Sequence, residues 1–359
     1  MTLEGPVRVV GAGLLGTSIG LALRRAGIDV CLRDIDRGHL RTATGLGAAN
    51  LLDADVRDPA LVVVAVPPDH LGEQLVAALA EGPGVVTDVG SVKLAPLSAV
   101  RAQGQPESAM RYVGSHPMAG SERSGPLAAS AALFDGRPWA VTPHADSAAE
   151  AIDLVSALVR CCGATPVLLA PDEHDQAVAR TSHLPHLLAA LVAGRLVDAP
   201  AGHLALSGQG VRDVTRIAAG DPDLWRQILL ANRQAVSALL EQVRGDVNLL
   251  LDALGGHETG RTEQLTALLD RGRAGTAAIP AKHGGPVRPE AEVYVAVPDQ
   301  PGGLARLFAD AGEVGVNIED IRIDHDPARD VGLVELTVDA DQADELLESL
   351  GARGWTAHR

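Results

Sequence analysis

Residues 7–27, VRVVGAGLLGTSIGLALRRAG, leave this chain the fewest choices. A short valine-rich run gives way to Gly11, Gly13 and Gly16, and then to an apolar periodic segment that reads as a helix ending at Gly27. Strand, tight turn and helix in this order open a doubly wound α/β sheet of the Rossmann type. In that frame Gly11 makes the turn, Gly13 lets a pyrophosphate approach the backbone, and Gly16 lets the helix pack on the strand. The amides around Leu14 and Leu15 then sit at the positive end of the helix. The next strand, DVCLRDIDR, places Asp34 23 residues after Gly11. A carboxylate there accepts hydrogen bonds from ribose hydroxyls and repels a 2′-phosphate, so the expected cofactor is NAD rather than NADP. Arg33 and Arg37 beside it pull the other way, and the same pattern also fits a glycine turn that binds nothing.

LVVVAVPPDH and GVVTDVGSVK read as further buried strands. Ligands in such sheets bind beyond the carboxyl ends of the strands, so Val66, Pro67, Asp88, Gly90, Ser91 and Lys93 are expected to line the crevice that holds the nicotinamide. YVGSHPMAG follows the same plan and brings Ser115 and His116 to that edge. His116 stands in GSHPMAGSERSG, a small-residue segment with Glu122 six positions further on and Arg123 just beyond. Glycine lets backbone come close to a ligand, and His, Ser and Glu offer acid/base and hydrogen-bonding groups at neutral pH. A lone histidine in such a segment is more often part of a surface turn. Four strand ends converging on one crevice make it a candidate acid/base group instead. PWAVTP and TPVLLAPDEHD are expected to close the sheet and end this domain at residue 170.

At 359 residues the chain exceeds the roughly 250–300 at which a single core stops growing, so further domains are expected. From 171 to 280 apolar residues recur at three- and four-residue spacing, the mark of an all-α domain. Long Ala/Leu helices of this kind interleave with a partner, so a homodimer is expected. Two polar clusters interrupt the apolar faces. The first is Ser182, His183 and His186 around Pro185, and the second, GVRDVTRIAAGDPDLW, holds Asp213, Arg216 and Trp225. His183 and His186 can in principle ligate a metal, but no third ligand follows at a suitable spacing, and no metal is expected. Arg216 taken alone reads better as a surface salt bridge to Asp213. With 30 basic and 46 acidic residues the net charge of −16 repels nucleic acid and anionic membranes, so an anionic substrate needs a local arginine. There is no apolar run of about 20 residues and no secretory pattern, and Cys31, Cys161 and Cys162 suit a reducing cytoplasm.

Taken in order, the Gly11–Gly16 turn, DVGSVK, GSHPMAGSE, SHLPH, RDVTRIA and DPDLW resemble the prephenate/arogenate dehydrogenases of tyrosine biosynthesis, over about residues 5–283. The resemblance implies an NAD-dependent oxidative decarboxylation of a cyclohexadienol. It makes His116 the catalytic residue hydrogen-bonded to the ring hydroxyl, Ser91 its partner near the nicotinamide, and Arg216 the group that binds the ring carboxylate. Glu122, Ser182, His183, His186, Asp213 and Trp225 match pocket residues, with Trp225 reaching towards a neighbouring subunit. His186 stands where arogenate-preferring relatives often carry an apolar residue, which favours prephenate. Two other readings stay open. A β-hydroxyacid dehydrogenase has a similar first domain but needs a catalytic lysine in its second, and none occurs between Lys93 and Lys282. The other is a non-catalytic dinucleotide-binding sensor of amino acids.

A Gly/Pro/Arg-rich linker over 281–290 leads to residues 291–359, which read strand, helix, strand, strand, helix, strand. Through DQPGGL and GVNIEDI this segment resembles an ACT domain, a ferredoxin-like ligand-sensing module. The resemblance implies an amino-acid pocket walled by Asp299, Gly302, Gly303 and Asn317, with tyrosine as the expected effector. A purely structural dimerisation module is the alternative.

Overall fold

The computed structural model describes residues 3–120, 124–255, 261–279, 289–325 and 331–359. Glu122, Lys282 and most of the 281–290 linker therefore lie outside the described residues. The chain divides into two compact units, Met1–Val247 and Asn248–Arg359.

The first unit is built on β1 (Val7–Val10), β2 (Val30–Arg33), β3 (Leu61–Val64) and β4 (Val85–Asp88), a parallel sheet in the order β2-β1-β3-β4. Its strands are four residues long and almost wholly buried, because helices cover both faces. These are α1 (Leu14–Arg25), α2 (Arg37–Gly45), α3 (Pro68–Glu81), α4 (Leu94–Gln103) and the short α5 (Pro106–Ala109), followed after two more strands by α6 (Ala149–Cys161). Val7, Val9, Leu32 and Val63 pack with Ile19 and Leu23 of α1 on one face. Val10, Val62, Val64 and Val86 pack with Leu71, Leu75 and Leu97 on the other. The register aligns Arg33, Val10, Val64 and Asp88 in one row at the carboxyl edge.

One expectation needs correcting here. β5 (Gly114–Pro117), β6 (Pro138–Thr142) and β7 (Thr165–Leu168) do not close the parallel sheet but form a sheet of their own, with β5 antiparallel to β6. A Val86–Tyr112 bridge just ahead of β5 connects it to the first sheet. Among the described residues the β5–β6 link carries only a 3₁₀ turn at Pro126–Ala128, and without a crossover helix the chain returns antiparallel.

Helices follow: α7 (Pro171–Val178), a π-helical turn over Ala179–His183, α8 (Leu184–Gly194), α9 (Ala201–Leu204), α10 (Gln209–Arg216), α11 (Pro222–Ala231), α12 (Arg233–Gly255) and α13 (Arg261–Ala277). The division between the two units falls within α12.

The second unit continues with β8 (Glu290–Pro298), α14 (Gly303–Val314), β9 (Ile318–His325), β10 (Val331–Asp339), α15 (Ala343–Ala352) and β11 (Thr356–His358). Its four strands form an antiparallel sheet in the order β11-β8-β10-β9. Alternate residues Val293, Val295, Val297, Val334, Leu336 and Val338 face Leu307, Leu346 and Leu350 of the helices. Asp299 lies in the turn between β8 and α14, and Gly302, in the left-handed region at φ +89°, starts that helix. Gly303 is its first residue. Asn317 is exposed ahead of β9 and donates to Glu319 Oε1.

Candidate active site

The glycine turn meets its physical requirements closely. Gly11 has φ +104°, and a Cβ there would lie 2.3 Å from the Ala65 carbonyl oxygen; one on Gly16 would lie 1.9 Å from the Gly11 oxygen. Gly13 faces open space and caps α1 with no side-chain hydrogen bond, so the first amides of the helix are left for an anion. At the end of β2, Asp34 accepts from the Ala12 amide at 2.5 Å and from the Asp36 amide at 2.7 Å, which holds its carboxylate beside the turn. Val66 and Pro67 lie past the end of β3, Pro67 exposed. These features fit the adenosine and pyrophosphate of a dinucleotide. Arg33 is committed elsewhere: its Nε donates to Asp53 at 2.9 Å and its Nη1 to Glu81 at 2.7 Å. Arg8, two rungs back along the sheet and buried, binds the same two carboxylates, so Arg33 is drawn away from the strand end where Asp34 sits.

Past β4 two expectations change. Asp88 and Lys93 do not line the crevice; they are 0% and 1% exposed and paired with each other beneath it. Asp88 Oδ1 also accepts from the Gly90 amide at 2.8 Å, and Oδ2 from the Tyr112 hydroxyl at 2.8 Å. Lys93 Nζ further donates to the Ser115 carbonyl at 2.6 Å, tying β5 to the parallel sheet. Burial pushes the Lys93 ammonium down from its usual pKa, while Asp88 and Asp175 oppose the shift; burial beside Asp88 pushes the Tyr112 phenol well up. Ser115 is likewise turned inward, its Oγ donating to the Asp88 carbonyl at 2.7 Å. A polar residue at a strand end faces the crevice only if the pleat sends it there, and Asp88 shares its rung with the buried Val64.

His116, on β5, is half-buried. Its Nδ1 lies 3.0 Å from His174 Nε2, and His174 Nδ1 lies 2.9 Å from Asp175 Oδ1. Asp175 also accepts from the amides of Lys93 and Leu94, at 2.7 and 2.9 Å. Burial, then the neighbouring His174, Lys93 and His183, push the His116 pKa well below 6.5, so the ring is neutral at pH 7. Asn232, at the end of α11, uses one amide nitrogen to reach the Asp175 carbonyl at 2.8 Å and His183 Nδ1 at 3.1 Å. Burial pushes His183 down to about 4. The π turn matters here: its wider winding shifts the phase of the helix that follows, and π turns gather at functional sites.

His186, one turn beyond His183, stacks on Trp225 with ring centroids 3.5 Å apart, and hydrogen-bonds the Ile217 backbone. Trp225 thus packs on a histidine of its own chain. Arg216 directly precedes Ile217, is exposed at the end of α10, and has no carboxylate partner among the described residues. The alternative salt bridge to Asp213 does not form, because Asp213 accepts from Gln209 at 2.9 Å. Ser182 is exposed on the π turn. Ser91 lines a cavity of about 110 Å³ with Pro68, Leu71 and Val92, closed by Ala231 of α11. Gln227 of α11 also accepts from the Asp69 amide at 3.3 Å, so the helices meet the carboxyl edge of the sheet. The structure therefore links His116 to His183 through His174, Asp175 and Asn232, and joins His183 and His186 with Trp225, whereas no hydrogen bond or ring contact among the described residues ties Ser91 or Arg216 to this cluster. His174, Asp175 and Asn232 escape a reading of the sequence; a His-Asp pair early in a helix was the one available signal.

Residues 19–168 match the prephenate dehydrogenase nucleotide-binding domain family, and residues 170–271 match the prephenate dehydrogenase dimerization domain family. The chain is 36% identical to the probable prephenate dehydrogenase NovF of Streptomyces niveus, over 98% of each chain. It is 31% identical to the cyclohexadienyl dehydrogenase of Zymomonas mobilis, over 72% of this chain and 91% of that one. The crystal structure of prephenate dehydrogenase from A. aeolicus in complex with hydroxyphenyl propionate and NAD+ is similar with a TM-score of 0.68 and 26% identity, over 78% of this chain and 99% of that one.

Proposed function

The chain belongs to the prephenate dehydrogenase family, and on that premise we propose that it catalyses the NAD-dependent oxidative decarboxylation of prephenate to 4-hydroxyphenylpyruvate. The observation that carries this reading is His116, a half-buried neutral imidazole on β5 that meets His174 through Nδ1. NAD at the glycine turn would supply the acceptor for the hydride at C4. Gly11, Gly13, Leu14, Leu15 and Gly16 would hold its pyrophosphate, Asp34 its ribose hydroxyls, and Val66, Pro67, Gly90 and Ser91 the nicotinamide side. Sequestration of Arg33 by Asp53 and Glu81 supports NAD over NADP.

The ring hydroxyl gives its proton to His116 Nε2 as hydride leaves C4. Loss of the C1 carboxylate as CO2 then returns an electron pair to the ring, which becomes aromatic and leaves a phenolate oxygen. That oxygen takes the proton back from His116, so the reaction releases no net proton. The histidine needs only to store it for part of one turnover. Ser91 assists at the hydroxyl. Arg216 grips the ring carboxylate, with Ser182, His183, His186, Asp213, Glu122 and Trp225 around the substrate. Stabilising a carboxylate that must leave works against its loss, so Arg216 acts through orientation. Arg216→Ala is therefore expected to raise KM by about 10–100-fold with a smaller fall in kcat, the scale of one charge-assisted bidentate contact. A kcat loss larger than the KM rise would remove this role.

The βαββαβ unit of residues 291–359 is read as an ACT domain in which Asp299, Gly302, Gly303 and Asn317 wall a tyrosine site. The domains are accordingly 1–170, 171–280 and 291–359. No helix among the described residues is long and apolar enough to cross a membrane, and a cytoplasmic enzyme fits the three free cysteines. Leu191, Val197, Leu206, Val214, Leu224 and Leu230 are exposed in the helical segment, which supports a homodimer; a monomer by light scattering would contradict it. One assay tests the whole reading: NADH formation with prephenate and with arogenate, each with and without tyrosine. Turnover of prephenate slowed by tyrosine is expected. Turnover of arogenate alone would change the substrate, and no turnover of either would leave a sensor.

A further inference from the structure

We propose that His174 and Asp175 are positioning residues for His116, forming a hydrogen-bond relay that fixes which ring nitrogen of His116 is free and shelters the charge it gains. The inference rests on the reading of His116 as proton acceptor.

The tautomers follow from the donors. Asp175 accepts from two backbone amides, at 2.7 and 2.9 Å, so it acts as a carboxylate, and the His174 Nδ1 only 2.9 Å from its Oδ1 carries hydrogen. His174 Nε2 is then a lone pair. It faces His116 Nδ1 at 3.0 Å, and two lone pairs cannot share a hydrogen bond, so His116 Nδ1 carries hydrogen and Nε2 is bare. The free lone pair is therefore on the nitrogen away from the relay. Asn232 makes the opposite choice for His183: its amide hydrogens go to the Asp175 carbonyl and to His183 Nδ1, so there Nδ1 is bare and Nε2 carries hydrogen.

The groups around His116 also explain why a relay is needed. It is faced by His174 from α7, Lys93 from the loop before α4 and His183 from the π turn, and Lys93 is itself paired with Asp88. A proton arriving on His116 sits near an ammonium and two other imidazoles. The compensating charge within reach is Asp175, coupled through His174, which is 1% exposed. Because the proton returns to the product, the relay has no need to pass it to solvent.

The substitutions separate positioning from packing. His174→Gln keeps an acceptor for His116 and a donor for Asp175, and is expected to stay within about tenfold of the parent kcat. His174→Leu is expected to lower kcat about 100-fold with KM within a few-fold, and to move the acid limb of kcat. Asp175→Asn puts a donor where a carboxylate accepted and is expected to cost about 10³-fold or more, as a wrong tautomer does in a catalytic triad. Nitrogen-15 spectra of the unsubstituted protein provide a readout independent of activity and of variant folding. They are expected to show His116 as the Nδ1–H tautomer near pH 7. A bare Nδ1 on His116, or equal kcat in His174→Leu and the parent, would overturn the relay. Full activity of His116→Asn would instead overturn the reading of the reaction beneath it, while the spectra still decide the tautomer.

Discussion

His116→Asn is expected to lower kcat by about 10³-fold while leaving KM for prephenate within a few-fold. Asparagine can still donate to the ring hydroxyl, so the substrate binds, but it has no group that takes a proton at neutral pH. The pH dependence gives a second signature. Acceptance requires the neutral ring, and burial, reinforced by the cationic forms of His174, Lys93 and His183, holds the His116 pKa well below 6.5. A lowered pKa keeps the ring neutral further into acid, so kcat should hold steady through pH 6.5 and fall only below it. That limb should vanish in the asparagine variant. Initial rates across the acid range test both points, and an unchanged kcat would remove the mechanism.

The second large effect is on folding. Lys93→Met is expected to destabilise the protein by about 3–5 kcal/mol, the scale for breaking one side of a buried ion pair. The lysine is 1% exposed, and its loss leaves Asp88, at 0% exposure, with only the Tyr112 hydroxyl and the Gly90 amide as donors. The Ser115 carbonyl loses its partner too. Adding Asp88→Asn should restore part of the loss, because the uncompensated charge disappears with it. Urea unfolding of the parent and the single and double variants measures this. A loss below about 1 kcal/mol would show that water reaches the site and replaces the ammonium.

What the sequence reveals follows from how local each requirement is. The Gly11–Gly16 turn is legible because each glycine answers a contact within a few residues or across one strand, as with the Ala65 carbonyl against Gly11. The βαββαβ order of the last segment is legible for the same reason, since alternation in β8 and β10 is written residue by residue. His174 and Asp175 are not legible. Their partners lie 58 and 82 residues away, at His116 and the Lys93 amide, and nothing in PDEHD announces either contact. Arg33 misleads in the same way, because the carboxylates that occupy it arrive 20 and 48 residues later. Lys93 and Asp88 are misplaced by a sound general rule, that strand ends face the ligand, overridden by a pleat that points Asp88 into the core. The separate β5–β7 sheet is missed because a strand's own residues do not encode its direction relative to its neighbours.

His116 hangs from a strand pinned by an internal ion pair, while Arg216 ends a short helix open to solvent. In the proposed reaction the proton acceptor is thus built into a buried frame, and the carboxylate-binding arginine onto a solvent-exposed helix end. Such a division lets selection recut the mouth of the pocket for a different acid while the oxidising machinery is inherited unaltered.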